Sequence, residues 1–318
     1  MNSGASLHIL FDRARGGERG ALARLLSVAE AGGEDAAALD SLCAASAAPR
    51  ARTIGITGAP GAGKSTLTAA LLGCARRESQ PVAVLAIDPS SPLTGGAILG
   101  DRVRMHHAAV DEGVFIRSLA SRGQQGGLAQ ATSLGARVLE ACGWPWILLE
   151  TVGIGQVEVE ISGRADLVVV VLNPGWGDEI QANKAGLMEV ADIFVINKAD
   201  RDGVAQTRRD IEGAIAARPG GVEIPVIETV ATRGEGVEGL WAAIAARHAA
   251  LEASGLLATR RSGRIAAELE SAVMSALRRR VAALLAGDAG LRERSRIEAG
   301  ASGIHEGARA LLDAIVRD

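Results

Sequence analysis

Residues 53–65 read Thr53-Ile54-Gly55-Ile56-Thr57-Gly58-Ala59-Pro60-Gly61-Ala62-Gly63-Lys64-Ser65, and this stretch decides the fold. An apolar run leads into a glycine-rich loop, and the loop leads into the helical pattern of residues 65–75. Strand, loop and helix in that order build a phosphate cradle. The glycines let backbone N–H groups curl around anionic oxygens, and the helix N-terminus adds positive potential. Gly58, Ala59, Pro60, Gly61, Ala62, Gly63, Lys64 and Ser65 are therefore the expected nucleotide-binding loop. Lys64 is placed to reach the terminal phosphates, and the Ser65 hydroxyl to ligate Mg²⁺.

Outward from the loop, apolar and β-branched runs recur at residues 82–87, 146–149, 167–172, 193–196 and 224–227. Helical patterns separate them at 64–77, 127–142, 178–190, 206–217 and 236–251. This alternation predicts an α/β fold with a mainly parallel sheet covered on both faces. Before the sheet, Leu22, Leu25, Leu26, Val28 and Ala29 suggest one short amphipathic helix, followed by Gly/Ala-rich sequence up to Arg52. After it, Ile265, Leu269, Val273, Leu277, Val281 and Leu284 form an apolar seam at near-helical spacing, flanked by Arg278, Arg279 and Arg280. The seam needs a partner, either within the chain or in a dimer. The expected organisation is an N-terminal helical extension at 1–51, a P-loop NTPase domain at 52–252 and a C-terminal helical arm at 253–318.

Composition narrows the function classes. A net charge of −3 without a long basic run leaves no footprint for nonspecific nucleic-acid binding or an anionic membrane surface. Cys43, Cys74 and Cys142 are widely spaced and form no CxxC pair, so neither a disulfide framework nor a thiolate metal site is implied. The first twenty residues lack a continuous apolar segment, and no stretch is long and apolar enough to span a bilayer. A reduced, cytoplasmic setting is expected. Of the 34 basic residues only Lys64, Lys184 and Lys198 are lysine. A GC-rich genome favours arginine codons, so the surviving lysines mark places where a flexible ammonium is not replaced by a planar guanidinium. Two of them lie in nucleotide motifs; Lys184 is either functional too or a chance surface lysine.

The second of those motifs is Asn197-Lys198-Ala199-Asp200, just beyond the apolar run 193–196, at the edge where open α/β sheets bind ligands. A carboxylate at Asp200 can accept from guanine N1–H and N2–H₂, a donor pair that adenine lacks, and the Lys198 stem can cover the base. GTP and GDP are thus favoured over ATP. Downstream, the Ala231 N–H is a candidate donor to the guanine oxygen. Asp88 and Glu150 each end a run on the phosphate side and are candidate partners of Mg²⁺, directly or through water; helix capping or strand punctuation is the alternative. Glu150-Thr151-Val152-Gly153 resembles the Asp-x-x-Gly element whose glycine N–H touches the γ-phosphate. Between Asp88 and Asp101 lies a Pro/Gly/Ser-rich loop, and Asp101 at its far end can close on Mg²⁺ when the γ-phosphate is present. A second candidate switch runs from Asn173 through Gly175, Trp176, Asp178, Glu179 and Gln181 to Lys184. His106 and His107 are adjacent and point apart on a helix, which reads as surface or local packing rather than a metal site.

With these motifs in place, the chain resembles the methylmalonyl-CoA mutase-associated GTPases, the MeaB or ArgK-type family of the SIMIBI class of P-loop proteins, over residues 52–251. The most specific stretches are Gly58 to Thr66, Asp88-Pro89-Ser90-Ser91-Pro92 with Gly95 to Asp101, Glu150 to Gln156, and Gly177-Asp178-Glu179-Ile180-Gln181 leading to Asn197-Lys198-Ala199-Asp200. The chain departs from the family pattern at Ala97, Trp176 and Ala182-Asn183. The resemblance adds Thr66 to the nucleotide-binding set. It implies a homodimeric GTPase chaperone of low intrinsic rate that gates delivery of adenosylcobalamin to an acyl-CoA mutase and protects the mutase, with the mutase's adenosyltransferase as a further partner. It also implies that the C-terminal arm dimerises, that Gly175 to Lys184 couples to the mutase, and that Lys64, Ser65, Asp88, Asp101 and Glu150 arrange phosphate, metal and attacking water. The competing readings are an ATP-dependent kinase and a metallochaperone GTPase for another centre such as nickel.

Overall fold

The computed structural model of the chain describes residues 3–88, 111–120, 127–151, 161–175, 186, 188–218 and 223–317. They form two compact units, Met1–Arg264 and Ile265–Asp318. In the first, seven parallel strands lie in the order β3-β2-β4-β1-β5-β6-β7. They are β1 (Arg52–Gly58), β2 (Val82–Asp88), β3 (Val114–Ala120), β4 (Trp146–Thr151), β5 (Leu167–Leu172), β6 (Ile193–Asn197) and β7 (Val226–Thr229).

Alternation within each buried strand sends successive side chains to opposite cores. Leu85, Ile147, Leu149, Val170 and Phe194 face one side; Val84, Trp146, Leu148, Val169 and Val195 face the other. The second face is covered by α4 (Lys64–Arg77), through Leu67, Leu71 and Leu72, and by α7 (Val237–Ala253), through Leu240, Trp241 and Ile244. The first face is covered by α5 (Gly127–Ala141), α6 (Val204–Ala216) and the N-terminal helices. The expected doubly covered parallel sheet is present.

Two parts of the sequence reading need correction. The N-terminal segment holds three helices, not one short helix and a Gly/Ala-rich connection: α1 (Ser3–Arg15), α2 (Arg19–Ala31) and α3 (Gly33–Ala44). The Ala-rich run is strongly helix-prone, Glu34 and Asp35 sit favourably in the first turn of α3, and Leu7, Phe11, Leu25, Leu26 and Leu39 supply a buried face. Strand β3 has no counterpart in the predicted set. It is an edge strand paired only with β2, and Arg117 and Ser118 interrupt its apolar run.

The start of α8 (Leu256–Ala286) is fastened to the N-terminal edge of the sheet by buried charges. Asp166, fully buried just before β5, accepts from Arg261 Nε at 2.9 Å, from Arg264 Nη2 at 2.9 Å and from the Thr53 N–H at 3.2 Å. His248 Nε2 stands 3.5 Å from the same carboxylate. Asp192, just before β6, takes both Nη groups of Arg260 at 2.8 Å and the Val168 N–H at 3.0 Å. Burial alone would raise the Asp166 carboxyl; the hydrogen bonds from Arg261, the approach of His248 and the charges of Arg261 and Arg264 outweigh it and hold the group well below the usual carboxylate range.

The second unit contains the rest of α8, then α9 (Asp288–Glu298) and α10 (Ile304–Arg317). Within it α10 approaches α9 closely at Gly307, where a Cβ would lie 2.9 Å from Ile297 Cδ1. Ile265, Leu269, Val273, Leu277 and Val281 recur every fourth residue along α8, and all are exposed. Among the described residues, the chain itself leaves this seam uncovered.

Candidate nucleotide site

The C-terminal ends of β1, β4, β6 and β7 bring the candidate residues to one edge. The loop leaving β1 turns directly into α4, whose first residue is Lys64. Lys64 is 6% exposed and donates from Nζ to Gly58 O at 2.7 Å and Ala59 O at 3.0 Å. The chain is forced to use glycine at both ends of this loop. At Gly58, φ +133°, a Cβ would fall 2.0 Å from Val171 O; at Gly63, φ +91°, it would fall 2.4 Å from Asn197 Nδ2.

That second contact joins the two sequence motifs. Asn197 donates from Nδ2 to Ala62 O at 2.8 Å, and its Oδ1 accepts from Thr229 Oγ1 and from the Ala231 N–H, both at 3.1 Å. Lys198 adopts a left-handed backbone, φ +59°, and its Nζ reaches Gly61 O at 2.6 Å. A non-glycine residue in that conformation costs on the order of 1–3 kcal/mol and persists only where its surroundings enforce it. Here the strain aims the ammonium across the phosphate loop. Asn197 thus serves as a clamp between the loop, β6 and the turn after β7.

On the other flank, Glu150 lies in β4 opposite both Ile56 of β1 and Ala86 of β2. It is 1% exposed, and its Oε1 accepts from Ser65 Oγ at 2.6 Å. Next to it Thr151 Oγ1 donates to Thr57 Oγ1 at 3.0 Å, tying β4 to β1 at the mouth of the loop. Asp200, beyond β6, has Arg233 Nη1 3.6 Å from its Oδ2.

The expected set is therefore partly assembled in one place: the residues of the loop, Thr66 in the first turn of α4, Glu150, Asn197, Lys198, Asp200 and Ala231. The Ala231 N–H, expected to face guanine, is bonded to Asn197. Asp88 ends β2 at the same edge, but its side chain lies outside the described residues, as do Asp101, Gly153, Trp176, Asp178, Glu179, Gln181, Lys184, His106 and His107. Gly175, at the described end of the second switch, donates its N–H to Thr207 Oγ1 of α6 at 3.4 Å. The sequence reading missed Thr229, Arg233 and Thr207. Only the register Asn197↔Thr229 puts the Thr229 hydroxyl beside the Asn197 amide, and no local pattern announces it.

Residues 22–286 match the family described as "Methylmalonyl Co-A mutase-associated GTPase MeaB". The chain belongs to this family. As a MeaB-family GTPase it takes GTP and GDP, and the ATP-dependent kinase reading gives way. It is 46% identical over 281 residues to a protein of Pyrococcus horikoshii named as a GTPase, covering 87% of this chain and 88% of that one. With the GTPase ArgK of Escherichia coli it shares 40% identity over 266 residues, 81% of this chain and 80% of the relative. A solved structure titled "Crystal structure of LAO/AO transport system kinase" resembles it with a TM-score of 0.70 at 28% identity, over 98% of each chain. Among the described residues of this MeaB-family chain, no helix is long and apolar enough to cross a membrane.

Proposed function

We propose that this GTPase gates delivery of adenosylcobalamin to an acyl-CoA mutase, with its adenosyltransferase as a further partner, and protects that mutase, using GTP binding and hydrolysis as the gate. The description of the matched family, which names mutase association, supports the choice of partner. The observation that carries the nucleotide switch itself is the double tether of the phosphate loop, with Asn197 on Ala62 O and Lys198 on Gly61 O. Base and phosphate recognition are one mechanical unit.

In this reading Lys64 exchanges its two carbonyl acceptors for phosphate oxygens, which are stronger acceptors because they are charged. Loop amides and the N-terminus of α4 hold the β-phosphate, and Asp200 reads the purine. Ser65 Oγ and Glu150 Oε1, hard oxygen donors 2.6 Å apart beside the loop, fit a small divalent cation. Ser65, Glu150, Asp88 and Asp101 would hold Mg²⁺, which when bound neutralises charge on the β- and γ-phosphates. Glu150 has the further task of keeping Ser65 oriented. Hydrolysis is slow until a partner engages Asp101 and the stretch from Gly175 to Lys184, because positioning supplies nearly all of the catalysis in phosphoryl transfer. The division into an extension (1–51), a GTPase domain (52–252) and an arm (253–318) belongs to the same proposal, as does a homodimer closed by the exposed seam of α8.

The test is capture of the mutase from the native cell on immobilised protein loaded with GDP or with a nonhydrolysable GTP analogue. A nucleotide-dependent yield of a cobalamin-dependent acyl-CoA mutase is expected. Equal yields in both states, or no mutase in either, would refute the gate.

A further inference from the structure

The turn after β7 carries a cation whose setting the nucleotide motifs do not explain. Arg233 donates from Nε to Glu235 Oε1 at 2.7 Å and from Nη2 to Glu235 Oε2 at 3.3 Å. Its remaining nitrogen, Nη1, faces Asp200 Oδ2 at 3.6 Å. The turn that presents it is closed by Val230 N–H to Glu235 O at 3.0 Å and Arg233 N–H to Val230 O at 2.9 Å. The same turn supplies the Ala231 N–H to Asn197. Glu235 and the backbone therefore set the direction of the guanidinium, and Asp200 meets a cation already in place.

We propose that Arg233 is a positioning residue that sharpens the choice of guanine by orienting the Asp200 carboxylate; this rests on the reading of Asp200 as the purine-selecting group. A carboxylate has about four lone-pair sites on its two oxygens. The N1–H and N2–H₂ of guanine take one site on each oxygen, which leaves the outer side of Oδ2 facing the Arg233 cation at 3.6 Å, an ion pair rather than a hydrogen bond. That attraction biases the carboxylate toward one rotation about its Cβ–Cγ bond, so less of its ordering is left to the binding step. Arg233 also pairs with two anions, Asp200 and Glu235, so its removal takes away the cation that both of them share. Both partners are substantially exposed, which limits the effect to a few-fold.

The experiment is calorimetric titration of the full chain with GDP, with IDP, which lacks the 2-amino group, and with ADP. Arg233→Ala is expected to weaken GDP by about two- to fivefold and IDP by less, so that the GDP/IDP ratio shrinks, with Arg233→Lys restoring part of it. Equal losses for all three nucleotides would mark a merely structural turn. An unchanged ratio, or tighter GDP binding, would equally overturn the inference, the latter because Arg233 would then compete with the base. Failure of the underlying reading shows separately, in the unmodified chain and in Asp200→Asn. If the unmodified chain binds ADP as tightly as GDP, or if Asp200→Asn keeps the full preference for GDP, the purine-selecting role of Asp200 falls and this inference falls with it.

Discussion

The two edges of the sheet differ in how their central cations are held. At the C-terminal ends of the strands two lysines donate to backbone carbonyls, Lys64 to Gly58 and Ala59 and Lys198 to Gly61, while Arg233 on the exposed turn pairs with carboxylates. At the N-terminal ends the charges are matched with opposite charges, with Asp166 between Arg261 and Arg264 and Asp192 against Arg260. A carbonyl yields to a phosphate oxygen, because charge-assisted hydrogen bonds are roughly twice as strong as neutral ones. A buried carboxylate with two guanidinium partners yields to nothing short of unfolding. One edge is thus free to exchange ligands, and the other holds the start of α8 in place.

Substitutions at the closed edge test this contrast most severely. Asp166→Asn should cost about 3–5 kcal/mol of stability, read from the urea midpoint, because it strips two arginines of their buried partner. Nucleotide selectivity of the folded fraction should be unchanged, since the phosphate edge is untouched. Lys64→Ala should do the reverse, lowering turnover of GTP by about 100-fold or more while leaving the urea midpoint close to that of the unmodified chain. If it unfolds the protein instead, Lys64 belongs with the structural charges.

Glu150→Ala tests the hydroxyl–carboxylate pair between these extremes. A loss of about 10- to 100-fold in kcat with a smaller change in GDP affinity is expected from steady-state kinetics and titration. Undiminished kcat would remove Glu150 from the mechanism. Acidification sharpens the comparison most gently. The Asp166 carboxyl is held below its ordinary value in the folded chain, so its stabilisation is complete above the unfolded carboxylate range and is lost as pH falls below about 4. Urea midpoints measured at about pH 4 and about pH 2 should diverge less in Asp166→Asn than in the unmodified chain, by at most about 1.4 kcal/mol per pH unit for a single proton.

Much of the open edge was readable from local pattern. The glycines of the loop, Lys64 and Ser65 stand in one short run, and Asn197 to Asp200 follow directly on a buried strand, so spacing alone placed them. The closed edge gave no such sign. Arg260, Arg261 and Arg264 look like further products of an arginine-rich composition until Asp166, 95 positions before Arg261, is brought beneath them. Strand β3 escaped notice for a related reason, since an edge strand with Arg117 and Ser118 in its middle has weak apolar periodicity and is held by its neighbour β2. Helix α3 was overlooked because an Ala- and Gly-rich stretch reads as connection unless the surface it covers is known.

By itself the sequence determined the alternation of most strands and helices of the sheet, the glycine-rich loop and the place of the tetrad Asn197 to Asp200 after a buried strand, because side-chain periodicity and glycine stereochemistry act over a few residues. The tertiary structure alone decided that Asn197 braces Ala62, that Ser65 meets Glu150, and that three arginines close over two buried aspartates. Those partnerships depend on strand order and register, which join residues far apart in the chain at separations of about 3 Å, where hydrogen bonds and ion pairs act.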